Sequence, residues 1–145
     1  MPGPSGFDYA VIRIVPRVER EEFMNVGVIL ICREAPFLGA LVALDPVRLA
    51  AMAPTLDLDD IEQQLNQFPL IASGDPAGGE IAALPISERF HWLTAPRSTV
   101  IQVSPSHSGI TEDPAGALER LLATMVRPPK EVPPPKEDVS PKAEA

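Results

Sequence analysis

The sequence predicts an α+β fold: a mainly antiparallel sheet of about four strands with helices packed against it, followed by a disordered C-terminal tail. Three observations carry this. Two apolar runs, Tyr9–Val15 and Asn25–Cys32, flank a short charged connection, and both are apolar at nearly every position. Strands of that kind are covered on both faces and sit in the middle of a sheet. The pairs Asp45-Pro46 and Asp113-Pro114 precede stretches of helical apolar spacing, each supplying an N-cap and a proline at the first helical position. A segment rich in proline and charge closes the chain and has almost nothing to bury.

Taken in order, residues 1–6 read as a flexible leader of proline, glycine and serine, without the basic and apolar regions of a signal peptide. The first strand ends at Pro16, which lacks a backbone donor. The second ends near Arg33, Glu34-Ala35-Pro36 turns the chain, and Phe37–Leu44 forms a third strand, giving an antiparallel meander. A short helix from Pro46 to about Met52 follows. Asp57 then caps a longer helix, with Asp59 and Asp60 where the dipole favours negative charge. Leu58, Ile61, Leu65 and Phe68 share one face of it, and Pro69 is expected to end it. Ser73–Gly79 is a loop, and its glycine pair lacks the lysine and hydroxyl residue of a phosphate loop. Ile86, Phe90 and Leu93 place a short helix over Pro85–Leu93. The β-branched run Ser98–Ser104 is the fourth strand, and Pro105–Ile110 is a turn-rich loop carrying His107. Leu118, Leu121, Leu122 and Met125 stripe the final helix. Residues 7–127 are therefore expected to form one domain, and residues 128–145 a disordered, partly polyproline tail.

A chain of 145 residues suits a single core, and 45% apolar with 22% charged residues is the balance of an ordinary soluble protein. With only 5% aromatic residues, that core must be aliphatic. No apolar run approaches the roughly 20 residues of a membrane span, so no membrane is expected as a partner and the cytoplasm is the default location. The formal charge of −8 argues against a nucleic-acid partner, which selects an excess of basic residues. A lone cysteine, Cys32, lies in a strand and reads as a buried thiol. All three lysines (Lys130, Lys136, Lys142) fall near the C-terminus, and the other basic residues are arginines. A coding bias accounts for that; bidentate binding of carboxylate or phosphate is the functional alternative.

Two polar sets stand out. The first is Arg13, Arg17, Arg20, Glu22 and Asn25, which antiparallel pairing of the first two strands brings to one end of the sheet. A charge inside an apolar strand costs several kcal/mol unless paired, so Arg13 is expected to meet Glu22 or another carboxylate. The set is either a structural ion-pair cluster with Asn25 closing a turn, or an arginine cluster that receives an anion or an acidic peptide. Gly27 signals a bulge or a close backbone approach.

The second set is Arg89, His91, Trp92, Arg97, Ser98 and His107. Two histidines sixteen residues apart, with no cysteine nearby, do not make a metal signature. Ser106-His107-Ser108 lacks the turn that aims a serine nucleophile at its base. Trp92 beside arginines suits the rim of a core or an anchor for a protein partner. No cofactor or metal is expected, and no motif specifies a reaction.

Several blocks together resemble a known bacterial family: Tyr9-Ala10-Val11-Ile12-Arg13-Ile14-Val15-Pro16, Arg20-Glu21-Glu22-Phe23-Met24-Asn25-Val26-Gly27-Val28, Arg89-Phe90, Arg97-Ser98 and the helix at Asp113-Pro114. Over roughly residues 7–127 the chain resembles the domain of unknown function 3037. Members of that family are often encoded beside a HipA-like kinase-fold protein, so the resemblance implies such a protein as a partner. It supplies no catalytic residues. The function expected is a non-catalytic protein-interaction or regulatory module. The alternative is a small enzyme or anion-binding module that gathers Arg13, Arg17, Arg20, Glu22 and His107 around a phosphorylated or carboxylated ligand.

Overall fold

A computed structural model of the protein describes residues 3–96 and 99–128. The meander forms as the apolar runs require: β1 (Ser5–Ile14) pairs antiparallel with β2 (Met24–Cys32), and β2 with β3 (Phe37–Val42). Helices α1 (Pro46–Met52), α2 (Leu58–Ser73) and α3 (Ile86–Leu93) follow, then β4 (Ile101–Val103), β5 (His107–Thr111) and α4 (Pro114–Met125). The sheet has five strands in the order β3-β2-β1-β4, with β5 also on β1.

Alternation along the strands divides the core in two. Ile12, Ile14, Val26, Ile29 and Ile31 pack with Leu49 of α1, with Leu65 and Phe68 of α2, and with Phe90 and Leu93 of α3. Val28 and Leu30 face the other way, onto Ala117, Leu118 and Leu122 of α4. The sheet is thus covered on both faces, and Val26, Val28–Cys32, Ile12 and Ile14 are fully buried. Cys32 is a buried free thiol.

The register between β1 and β2 shifts between Ile12, which faces Gly27, and Arg13, which faces Asn25, so Val26 is the extra residue of a bulge. Gly27 is required there: a Cβ would stand 2.8 Å from the Leu41 carbonyl oxygen and 2.9 Å from Ile12 Cδ1. The helix caps also form as expected. Asp45 Oδ1 accepts from the Val47 and Arg48 amides, Asp57 from Asp60, and Asp113 from Gly116.

Four expectations are corrected. β1 begins at Ser5, itself buried, so the leader is shorter than residues 1–6. The region expected as a loop, Pro105–Ile110, instead carries β5, because the N-terminal half of β1 would otherwise be an open edge. Gly109 lies opposite Phe7 and leaves room for that ring, which replaces the β-branched side chain whose absence hid the strand. β4 and β5 run along β1 as one interrupted strand: at the break the Ser104 amide donates to the Val11 carbonyl, and Ser104 Oγ accepts from the Val11 amide at 2.9 Å.

Helix α2 does not stop before Pro69 but runs through it to Ser73. A proline inside a helix costs about 3 kcal/mol. Burying Phe68 and Ile71 returns about 1.5–3 kcal/mol each. β4 is also shorter than expected; Ser98, where it was to begin, lies outside the described residues, as do residues 129–145 of the expected disordered tail.

Gly27→Ala should lower stability by about 1–3 kcal/mol through overpacking against backbone. Urea unfolding measures it, as a lower midpoint with an unchanged slope.

Candidate functional site

The first polar set does not converge; it divides between the two faces of the sheet. Because Ile12 and Ile14 point toward α1–α3, the intervening Arg13 points to the α4 face. Among the described residues, the carboxylate expected beside it is absent. Arg13 instead lies under the ring of Phe23, its guanidinium carbon 4.0 Å from the ring centroid. Its Nε is buried and makes no hydrogen bond. Opposite it across the bulge, Asn25 donates from Nδ2 to the Met125 carbonyl at 3.0 Å, tying the end of α4 to β2, while its Oδ1 is buried and unmatched.

Arg17, Arg20 and Glu22 lie elsewhere, in the connection between β1 and β2. A 3-10 turn over Val18–Arg20 ends at Glu21 in the left-handed region (φ 55°), and the chain then enters β2. With the loop Ala53–Leu56 and Met52 of α1, this connection lines an open, polar cavity of about 690 Å³. Within it the charges are matched. Arg20 donates to both carboxylate oxygens of Glu22, at 2.8 and 3.1 Å, and Arg17 reaches Glu19 at 3.5 Å. The hydrogen bond and charge of Arg20 hold the Glu22 carboxyl below the usual glutamate range, and Glu22 raises Arg20 in return. Glu19 is lowered by a backbone hydrogen bond first and by Arg17 after it. All four side chains are exposed, and such pairs contribute little to stability.

The second set does not assemble either. Arg89 is a structural residue: Nε donates to the Leu84 carbonyl at 2.8 Å, and Nη1 to the carbonyls of Ile71 and Ala72 at 3.1 and 2.9 Å. It thereby closes the C-terminal end of α2, where helix carbonyls lack intrahelical donors. Trp92, 43% exposed, stands at an apolar groove of about 320 Å³ with Phe68, Ile71, Leu93 and Ile101. His107 lies on β5 opposite Tyr9, the rings 5.4 Å apart, and Tyr9 packs with the α4 side of the core. His91 is an exposed residue in the last turn of α3. Arg97 and Ser98 lie outside the described residues.

One polar network has no counterpart in the sequence reading. Arg33 donates to Asp8 Oδ2 at 3.0 Å, Ser108 donates to Asp8 Oδ1 at 2.9 Å, and Arg33 also reaches Ser87 at 3.4 Å. It joins β1, β2, β5 and α3 at the end of the sheet opposite the bulge. The signal was available only through strand register, since Asp8 faces Ile31, two residues before Arg33. A second omission is a groove of about 290 Å³ between β2, the start of α1 and the end of α4, with Arg48 and Arg127 in its wall.

A family model described as "Protein of unknown function (DUF3037)" matches residues 9–126. The chain belongs to this family. No curated protein and no solved structure matches it. The DUF3037 match covers β1 from Tyr9 onward and every later strand and helix of the described residues, so the bulge at Val26, the Arg89 cap and the Trp92 groove all lie inside the family's own span. Among the described residues, no group of three or more histidine, cysteine, aspartate or glutamate side chains is placed to hold a metal ion, and no helix is long and apolar enough to cross a membrane.

Two outcomes follow. Arg89→Gln should cost about 1–3 kcal/mol by leaving part-buried carbonyls unmatched, and hydrogen exchange should quicken selectively at the end of α2. The Glu22 carboxyl, followed by NMR, should titrate below the ordinary glutamate range and return to it in Arg20→Gln. Its small stabilising effect is present above the ordinary glutamate pKa and is lost as pH falls through the depressed value.

Proposed function

We propose that this DUF3037 protein is a non-catalytic cytoplasmic interaction module that docks a partner protein at the bulged end of its sheet. The observation that carries the reading is where large apolar side chains are left in water. Among the described residues they are Val18, Phe23, Val47, Trp92 and Ile110, and three of the five belong to this end. Val18 (66% exposed) and Phe23 (46%) stand on the β1–β2 connection, and Val47 (78%) on the first turn of α1. Met52 joins them, lining both the polar cavity beside Val18 and a shallow depression of about 370 Å³ beside Phe23, Arg48 and Ala51. Exposed apolar residues set among arginines are the composition of interface cores and hot spots.

The HipA-like kinase-fold protein that the family resemblance implies is the partner proposed. The matched state of Arg17 and Arg20 speaks against the alternative, an anion-binding or catalytic cluster, because an incoming anion would have to displace Glu19 and Glu22.

Co-expression with that kinase-fold neighbour should give a complex that survives size exclusion at micromolar concentration. Val47→Ser should weaken it about tenfold while leaving the free protein's melting temperature unchanged, since Val47 buries little in the free state. Two separate peaks, or a complex indifferent to both Val47→Ser and Phe23→Ser, would refute the reading.

A further inference from the structure

We infer that the groove between the end of α4 and the start of α1 receives an acidic, partly aliphatic peptide segment of the partner. This deepens the docking function proposed above and rests on it. The argument starts from charge. The chain carries 20 acidic and 12 basic residues, so an arginine on its surface has carboxylates in excess to choose from. Arg17, Arg20 and Arg33 have taken them, and Arg89 is held by carbonyls. Arg13, Arg48 and Arg127 have no carboxylate among the described residues. Of the other described arginines, Arg120, on α4, shares that condition, and so does Arg89, whose guanidinium is taken up by carbonyls.

These three gather. Arg48 and Arg127 line the groove together with Asn25, and Arg48 also lines the depression beside Phe23, whose ring covers Arg13. The one carboxylate in the groove, Asp45, is engaged with two amides as the cap of α1. The remaining wall is largely apolar, with Met24, Ala43, Leu44 and Val126. Cations spaced along an apolar groove match a chain that alternates carboxylates with aliphatic side chains.

The buried unmatched atoms favour a peptide over a simple anion. Arg13 Nε is a donor without an acceptor, and Asn25 Oδ1, on the facing strand position, is an acceptor without a donor. A peptide group presents one of each. An isolated ionised carboxylate presents acceptors alone, and leaves the asparagine oxygen as it is. Phe23 covers Arg13 in the free protein, and its displacement by the arriving segment opens Nε.

The test is fluorescence anisotropy on the full chain with two labelled peptides, one alternating glutamate and leucine, the other glutamine and leucine. The acidic peptide should bind, more weakly as salt rises, and at least about tenfold more tightly than the neutral one. Arg48→Gln with Arg127→Gln, both exposed positions, should remove about tenfold of that affinity with no change in melting temperature. Equal affinity for the two peptides overturns the inference, and so does inorganic phosphate displacing the peptide at equal concentration. A rise in affinity when Glu131, Glu137 and Asp138 are changed to their amides would assign the groove to the chain's own C-terminal segment and overturn the partner assignment. If the partner complex forms and ignores the double arginine variant, the docking function stands and this inference falls. If the peptide binds but no partner complex forms, the groove's preference for acidic peptides stands and its assignment to that partner falls.

Discussion

Everything in this molecule follows from β2 having no wet face. Its residues from Val26 to Cys32 are sealed between α1–α3 on one side and α4 on the other. Burial at about 25 cal/mol per Å² makes such a strand the largest single source of stability, and it tolerates no polar side chain along its middle. Polar groups are therefore expelled to the two ends of the sheet. At one end they close on themselves, as Asp8, Arg33 and Ser108 do. At the other, Arg17 and Arg20 close on Glu19 and Glu22, and Arg13 and Asn25 beside the bulge are left with one unmatched atom each.

That difference between the ends has a geometric cause. With one residue inserted at Val26, Arg13 faces Asn25, where an unbroken register would set it opposite Val26. The connection then turns away through a left-handed Glu21, and Glu22 meets Arg20. Arg13 is left with an aromatic face, which satisfies part of its charge but none of its Nε hydrogen-bonding capacity. Gly27, whose missing side chain lets β3 approach, is what permits the insertion. The fold and the unmatched polar pair thus have one origin.

The parts legible from sequence were those set by local chemistry. Aspartate–proline caps, continuous apolar strands and a glycine at the bulge each act within a few residues, and each appears where the pattern placed it. The parts that were not legible depend on partners distant in the chain. His107–Thr111 has weak intrinsic strand character and pairs because β1 offers an open edge about a hundred residues earlier. Pro69 is carried inside α2 by the burial of its neighbours and by Arg89 on the last carbonyls. Arg13 was expected to meet a carboxylate because composition says nothing about which face a side chain takes.

The candidate site was harder still to read, since its residues were identified by type and only their matching states distinguish them. Nine arginines look alike in the sequence, but in the fold they differ sharply. Those on the polar cavity are neutralised by glutamates two residues away, a pairing that local sequence alone brings about. One holds a helix end, one lies under Phe23 and two line the groove beside Asn25, the last three without a counter-charge among the described residues. An exposed arginine in water loses little by being alone, so isolation of any one of them would carry no meaning. Its meaning comes from coincidence with the two buried atoms, because Arg13 Nε and Asn25 Oδ1 have lost water and gained nothing, a condition that costs about 1–3 kcal/mol per group.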